Sequence, residues 1–295
     1  MGPSLRTPFR SLSANNFIGR GAAGHIFSIS PNIVLKCVTK FDNAFPQQME
    51  EMEESGKRIE AEKAVYRILM THPHPNILQC ILHIPEGIFL RRMKTTLQER
   101  LSQPIPARTQ ERWVLQLTSA VAWLERLGFV HGDLRPANIL LDGSDNIQLG
   151  DFDATVERGA ELLVASEPFC KLDENFNPPA AGPVSEQFSL ASCIYTIRSG
   201  HWPWYELDPR ARGEKMTRGD FPSVLDDALF GEVTVACWHG EYVSIAAVEQ
   251  DILSQLGRSV AKDDVLRQAA VGEMAAQYPL LRAECEEFVA NQKRG

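Results

Sequence analysis

A chain of 295 residues, 44% hydrophobic and 23% charged, can bury two modest cores without disulfide or metal staples. Its formal net charge of -8 excludes the basic footprint of a non-specific nucleic-acid binder. No stretch approaches the roughly 20 apolar residues of a membrane span, and six scattered cysteines without C-x-x-C spacing read as reduced thiols of a cytoplasmic or nuclear protein.

Residues 1–14 form a polar, proline-containing arm, in which Gly2 fits an acylation signal only in part because Arg6 stands where serine or threonine is needed. From Phe17 the texture is strand-like. Residues 25–30 and 33–36 flank Pro31-Asn32 and predict a hairpin. Just before them lies Gly19-x-Gly21-x-x-Gly24, whose glycines let backbone approach phosphate oxygens. A dinucleotide fingerprint needs a helix directly after such glycines, and here a strand follows. Lys36 closes an apolar strand, either as an edge residue whose ammonium reaches water or as a phosphate-binding cation.

The next segment, 47–63, is acidic and then helical in composition, with Ile59, Val65, Ile68 and Leu69 as a partial apolar stripe. Its block of Glu50, Glu51, Glu53 and Glu54 reads as a solvated face, since no histidine or cysteine completes a ligand set. Residues 76–84 and 87–92 are two further strands. The most regular helix is 109–128, with Trp113, Leu117, Ala120, Val121, Leu124 and Leu127 on one face and Gly128 as its stop. Residues 138–153 read as strand, Asp-Gly turn, strand. An irregular proline-rich stretch, 174–183, precedes a buried helix over 185–200. From Leu225 onward the chain is mostly helical, ending in a charged helical tail over 258–295. A β-rich opening followed by a helical remainder predicts an α+β chain of two lobes meeting at a cleft, a common place for a ligand.

Two short polar segments remain. His131-Gly132-Asp133 is followed five positions after the aspartate by Asn138, and Asp151-Phe152-Asp153 follows the predicted hairpin. Any one of these aspartates fits an ordinary turn. Their order along the chain is far more specific: glycine loop and strand, strand lysine, helix glutamate, H-x-D with its asparagine, then D-F-x. From about residue 15 to 257 the chain resembles the eukaryotic-type protein kinase family, with Ile26 in the apolar place after the glycines. The HGD and DFD forms are similar to a divergent group found mainly in fungi.

The resemblance implies a bilobal kinase-like fold with a small β-rich N-lobe over 15–92 and a mainly helical C-lobe over 93–257. It implies ATP and magnesium as cofactors and a monomer that transfers phosphate to a protein hydroxyl, serine or threonine favoured. By the same resemblance Asp133 is the base, with Arg135 beside it. Asn138 and Asp151 hold magnesium. Lys36 is positioned by a carboxylate, Glu62, with Glu60 as rival. Gly19, Gly21, Gly24, Ile26, Lys36, Leu90 and Met93 contact the nucleotide. The alternative reading is a pseudokinase acting as an ATP-binding or scaffolding module. Its signs are Gly132, in place of the arginine that pairs with a phosphorylated activation loop, and Asp153, in place of a glycine. Losing that arginine predicts activity independent of loop phosphorylation. Glu167-Pro168 is the remnant of the motif that closes the activation segment. Glu186 stands where the family has an aspartate bracing the catalytic loop. Arg135 stands where serine/threonine kinases usually have lysine.

Overall fold

The computed structural model describes residues 4–293, so Gly2 of the dismissed acylation signal lies outside the described residues. The chain divides into two compact units, one comprising residues 1–73, 78–93 and 269–295 and the other 74–77 and 94–268.

The first unit contains β1 (Ser4–Leu5), β2 (Phe17–Arg20), β3 (His25–Ser28), β4 (Ile33–Cys37), β5 (Phe41–Asp42), helix α1 (Pro46–Thr71), β6 (Cys80–Ile84) and β7 (Gly87–Arg91). Five strands form an antiparallel sheet in the order β2-β3-β4-β7-β6. Side chains alternate across a strand, which places Phe27, Ile33, Leu35 and Cys37 on one face, buried with Ile81 and Phe89. The supposed arm does not hang free. Ser4 and Leu5 pair with Asp42 and Phe41, and Leu12 is buried in the same core. The six cysteines are free and buried, and burial pushes the thiols of Cys37 and Cys80 up to about 12.

Helix α1 starts well before its apolar stripe. Pro46 takes the first turn, where a missing N–H costs nothing, and Gln48 Oε1 accepts the N–H of Phe45 at 2.8 Å. Across the acidic stretch Glu53 meets Lys57 at 2.7 Å and Glu54 meets Arg58 at 3.0 Å, i,i+4 pairs on a solvated face. Further along, Ile59, Glu62, Val65, Tyr66 and Leu69 are buried while Ile68 is exposed.

The second unit contains β8 (Thr95–Thr96), α2 (Leu97–Arg100), α3 (Ala107–Arg126), β9 (Phe129–Val130), β10 (Ile139–Leu141), β11 (Ile147–Leu149), β12 (Val156–Glu157), α4 (Pro183–Ser199), α5 (Pro209–Thr217), α6 (Gly231–His239) and α7 (Ile245–Gln255). Helix α3 ends at Gly128, whose φ of +86° is left-handed, and Gly200 closes α4 in the same way at +83°. The β10–β11 hairpin turns on Asp142, which accepts the N–H groups of Ser144 and Asn146 at 2.8 and 2.9 Å. Residues 74–77 join this unit because Asn76 reaches the hairpin: its side chain donates to Ile147 O at 3.0 Å and its carbonyl accepts Leu149 N–H at 2.8 Å. Two-residue strands such as β9 and β12, and helix α5, leave too short a pattern for sequence periodicity to register.

The last helix, α8 (Val260–Lys293), is not a separate tail. Its residues up to 268 belong to the second unit, where Arg267 binds Glu249 and Ser119. Those from 269 belong to the first unit, where Cys285 is fully buried and Phe288 packs edge-to-face on Phe9 and Phe89. Apolar residues spaced along a charged helix explain the difference, since they bury a stripe that composition alone conceals. Among the described residues no helix is long and apolar enough to cross a membrane.

Candidate active site

In the first unit the glycine loop joins β2 to β3. Gly21 N–H donates to Gly24 O at 2.8 Å, and Gly19 pairs with Ile26 across the two strands. A Cβ on Gly24 would lie 2.0 Å from Cys37 O, so only glycine fits there. The same added atom on Gly19 or Gly21 meets nothing within 4 Å, leaving those positions open to an approaching group. Ser55 of α1 pins the loop: its hydroxyl donates to Ala23 O at 2.6 Å and accepts Thr39 N–H at 2.8 Å. Sequence reasoning missed Ser55, whose partners are remote in the chain.

Directly opposed residues of an antiparallel pair share a face. Ile26 opposes Lys36, Lys36 opposes Ile88, and Val34 opposes Leu90. Ile26, Lys36 and Leu90 therefore share the sheet face opposite the Phe27–Leu35 core. Met93 follows β7, half-buried, outside the paired register. Lys36 Nζ lies 2.6 Å from Glu62 Oε2, both side chains buried. The rival Glu60 is engaged elsewhere, by Lys63 at 2.7 Å. The helical period decides between them: Glu62 sits three residues after Ile59 on the buried face, while Glu60 points outward.

In the second unit Asp133, Arg135, Asn138 and Asp151 converge. Asn138 Nδ2 donates to Asp133 O at 2.8 Å and to Asp133 Oδ2 at 2.9 Å. Arg135 Nε donates to the same Oδ2 at 3.1 Å. The other oxygen, Asp133 Oδ1, is buried without a hydrogen-bond partner among the described residues. Asn138 and Asp151 are brought close by the hairpin: Ile139 pairs with Leu149, and Gly150 N–H donates to Asn138 O at 3.1 Å. Asp151 itself is left-handed, with φ of 62°, a conformation aspartate tolerates better than most residues.

His131 organises the loop from beneath. Its Nδ1 accepts Asp133 N–H at 3.3 Å, so the proton sits on Nε2, which donates to Gly150 O at 3.0 Å. Burial holds its pKa below the usual value, against the opposing pull of Asp133, Asp151 and Asp153. The ring is therefore neutral, and Phe152 packs on it at 5.5 Å. Gly132 has φ of +80°, and a Cβ there would lie 2.3 Å from Ala154 O. As the backbone stands, the loop and the segment after Asp151 approach too closely for a Cβ at this position. Glu186 Oε2 accepts His131 N–H at 2.9 Å, so Glu186 does brace the loop. Strand pairing of β9 with β12 and a bond from Thr155 Oγ1 to His131 O at 3.2 Å fix the following segment. Glu167 pairs with Arg212 at 2.5 Å.

A β-sheet unit with a glycine loop and a buried strand-lysine pair, followed by a helical unit with this loop and hairpin, defines the protein-kinase class of α+β fold. The protein kinase domain family matches residues 12–226, and the chain belongs to that family. It is 31% identical over 135 residues to serine/threonine-protein kinase GIN4 of Saccharomyces cerevisiae, covering 44% of this chain and 12% of that protein. It is 27% identical over 206 residues to human dual specificity mitogen-activated protein kinase kinase 7, covering 60% and 49%. To human serine/threonine-protein kinase MRCK gamma it is 27% identical over 120 residues, covering 37% and 8%. The chain thus aligns with less than half of each relative's length.

Proposed function

We propose that this chain is an active protein kinase, transferring the γ-phosphoryl group of ATP to a protein hydroxyl, with serine and threonine favoured. One observation carries the reading against a pseudokinase. Asp133 is held rigidly through Oδ2 by Asn138 and Arg135, while Oδ1 is left buried without a partner among the described residues. A carboxylate oxygen kept in that state is costly for a scaffold, and it suits a general base awaiting a hydroxyl. The names of the relatives, two serine/threonine kinases and one dual-specificity kinase, support the substrate class. The divergent HGD/DFD grouping belongs to the same proposal and rests on Gly132 and Asp153.

The donor set fits magnesium. This ion is usually bound by one or two carboxylates plus substrate phosphates, not by an all-protein cage. Asn138 directs its amide nitrogen to Asp133, which leaves its carbonyl oxygen as the metal-capable donor. Asn138 and Asp151 would hold the ion, which supplies charge neutralisation for the transferring phosphoryl group when bound. The glycine loop, Ile26 and Leu90 would seat the nucleotide. Lys36, aimed by Glu62, would neutralise phosphate oxygens. Asp133 Oδ1 would accept the hydroxyl proton, with Arg135 holding the carboxylate in orientation.

The test is transfer of labelled γ-phosphate from magnesium-ATP to protein substrates, with Asp133→Asn as control. Transfer that disappears in the variant supports the reading. No transfer by the wild-type chain over a broad substrate set, with nucleotide still raising its melting temperature, would overturn it in favour of the pseudokinase.

A further inference from the structure

Two glutamates of the second unit are held alike and end in the same place. Glu125, on α3, accepts the N–H groups of Ile245 and Ala246 at Oε2, at 2.8 and 3.2 Å, and so caps α7. Glu186, on α4, accepts His131 N–H at Oε2 at 2.9 Å, with Gly132 N–H as a second donor. The remaining oxygen of each, Oε1, is buried without a hydrogen-bond partner among the described residues. Both residues line one cavity of about 10 Å³, walled by Phe129, Val130, Gly182 and Ile245. That volume fits about one water molecule. Two ionised carboxylates in such a space would repel each other and lack solvent. One proton between them, carried through a single water, removes both difficulties.

We propose that Glu125 is a positioning residue of the catalytic loop: one proton shared with Glu186 across this cavity joins the start of α7 to the backbone of His131 and Gly132. The proposal rests on the reading of residues 131–138 as a kinase catalytic loop. Glu125 accepts two N–H groups at the N-terminus of α7. Glu186 is enclosed, and burial, with the charge of Glu125 added, pushes it from 4.5 up to about 8 against its two backbone donors. The remaining groups around it do not supply a substitute. His131 is neutral. Cys193 on α4 and Cys170 beyond Glu167 carry thiols raised by burial and stay protonated. Arg158 also lines the cavity. Helix α7 contributes Ile245, and α6 lines none of it.

A carboxyl raised from 4.5 to about 8 binds its proton in the native chain and releases it in the unfolded one between those values. Its contribution to stability is therefore complete below 4.5 and is lost as pH rises to about 8. Above that point both carboxylates are charged, and the tie between α7 and the loop becomes a repulsion.

The experiment is a pH titration of backbone amide chemical shifts in the full ¹⁵N-labelled chain without nucleotide. The amides of His131 and Gly132 report Glu186, and those of Ile245 and Ala246 report Glu125. All four should move with one midpoint near 8. Glu125→Gln, whose amide can donate to an ionised Glu186, should bring the His131 and Gly132 midpoint well below that. Glu186→Gln should abolish the step. Should Glu125→Gln fail to fold, the wild-type chain decides alone: separate midpoints for the two amide pairs, or no step, overturn the shared proton. An intact step in a chain without phosphotransfer would sink the kinase reading and leave the tie standing. A missing step in an active kinase would do the reverse.

Discussion

In the first unit one buried cation meets one buried anion, Lys36 on Glu62 at 2.6 Å. In the second, Asp133, Asp151 and Asp153 surround the neutral ring of His131, and Arg135 reaches Asp133 from 3.1 Å. The first arrangement is complete within the fold. The second concentrates acceptors and negative charge, and cations arriving with a ligand would balance it. Folding completes the first arrangement, and a ligand would complete the second.

The largest effects should separate these halves. Asp133→Asn should lower phosphotransfer by roughly 10²–10⁴-fold, the usual range for a general base, with unfolding in urea unchanged. Lys36→Ala should do harm of a different kind. It leaves Glu62 as an uncompensated buried charge and should cost about 3–5 kcal/mol in urea unfolding. Replacing both partners, as in Lys36→Met with Glu62→Leu, should recover most of that stability and none of the activity. If the single and double variants unfold alike, the pair is not the self-contained unit described above.

Gly132→Ala should cost roughly 1–3 kcal/mol, because strain and the contact with Ala154 O add. Gly128→Ala, equally left-handed but with nothing within 4 Å, should cost about 1 kcal/mol. Equal costs would remove the close-approach account of the missing arginine. A smaller effect is expected in acid. Burial lowers His74 to about 3 and also lowers His131. Below pH 6.5 the unfolded chain takes up protons that these native rings refuse, so stability falls as pH drops from there. Replacing His74 with Asn should flatten that slope in melting curves. Smallest of all, phosphatase treatment should leave transfer unchanged. Between 152 and 185 the hydroxyls are those of Thr155, Ser166 and Ser185; Thr155 is buried on His131 O, and Ser185 is buried and donates to Gly182 O. A large loss traced to any of these sites would contradict the phosphate-independent loop.

Local chemistry explains what the sequence revealed. The glycines, Lys36, Asp133, Asn138 and Asp151 are singled out by residue type and by their order along the chain. Glu62 was within reach because a helix repeats every 3.6 residues. What stayed hidden depends on contacts between distant segments. Ser55 matters through Ala23 and Thr39, and Glu125 through Ile245 and Glu186. Gly132 read as a lost arginine; only its φ and its distance from Ala154 O reveal a steric demand. The β1–β5 pair joins segments too short to carry a pattern.

Helix α8 sets the limits of what can be cut. The family match ends at residue 226, and a fragment trimmed there would lose Leu281, Cys285, Phe288 and Val289 from the core of the β-rich unit. Its sheet would then show water the apolar surface those residues cover, an aggregation hazard created by residues beyond the family match. The match stops at residue 226, while the core of the first unit takes in residues as far along as Val289.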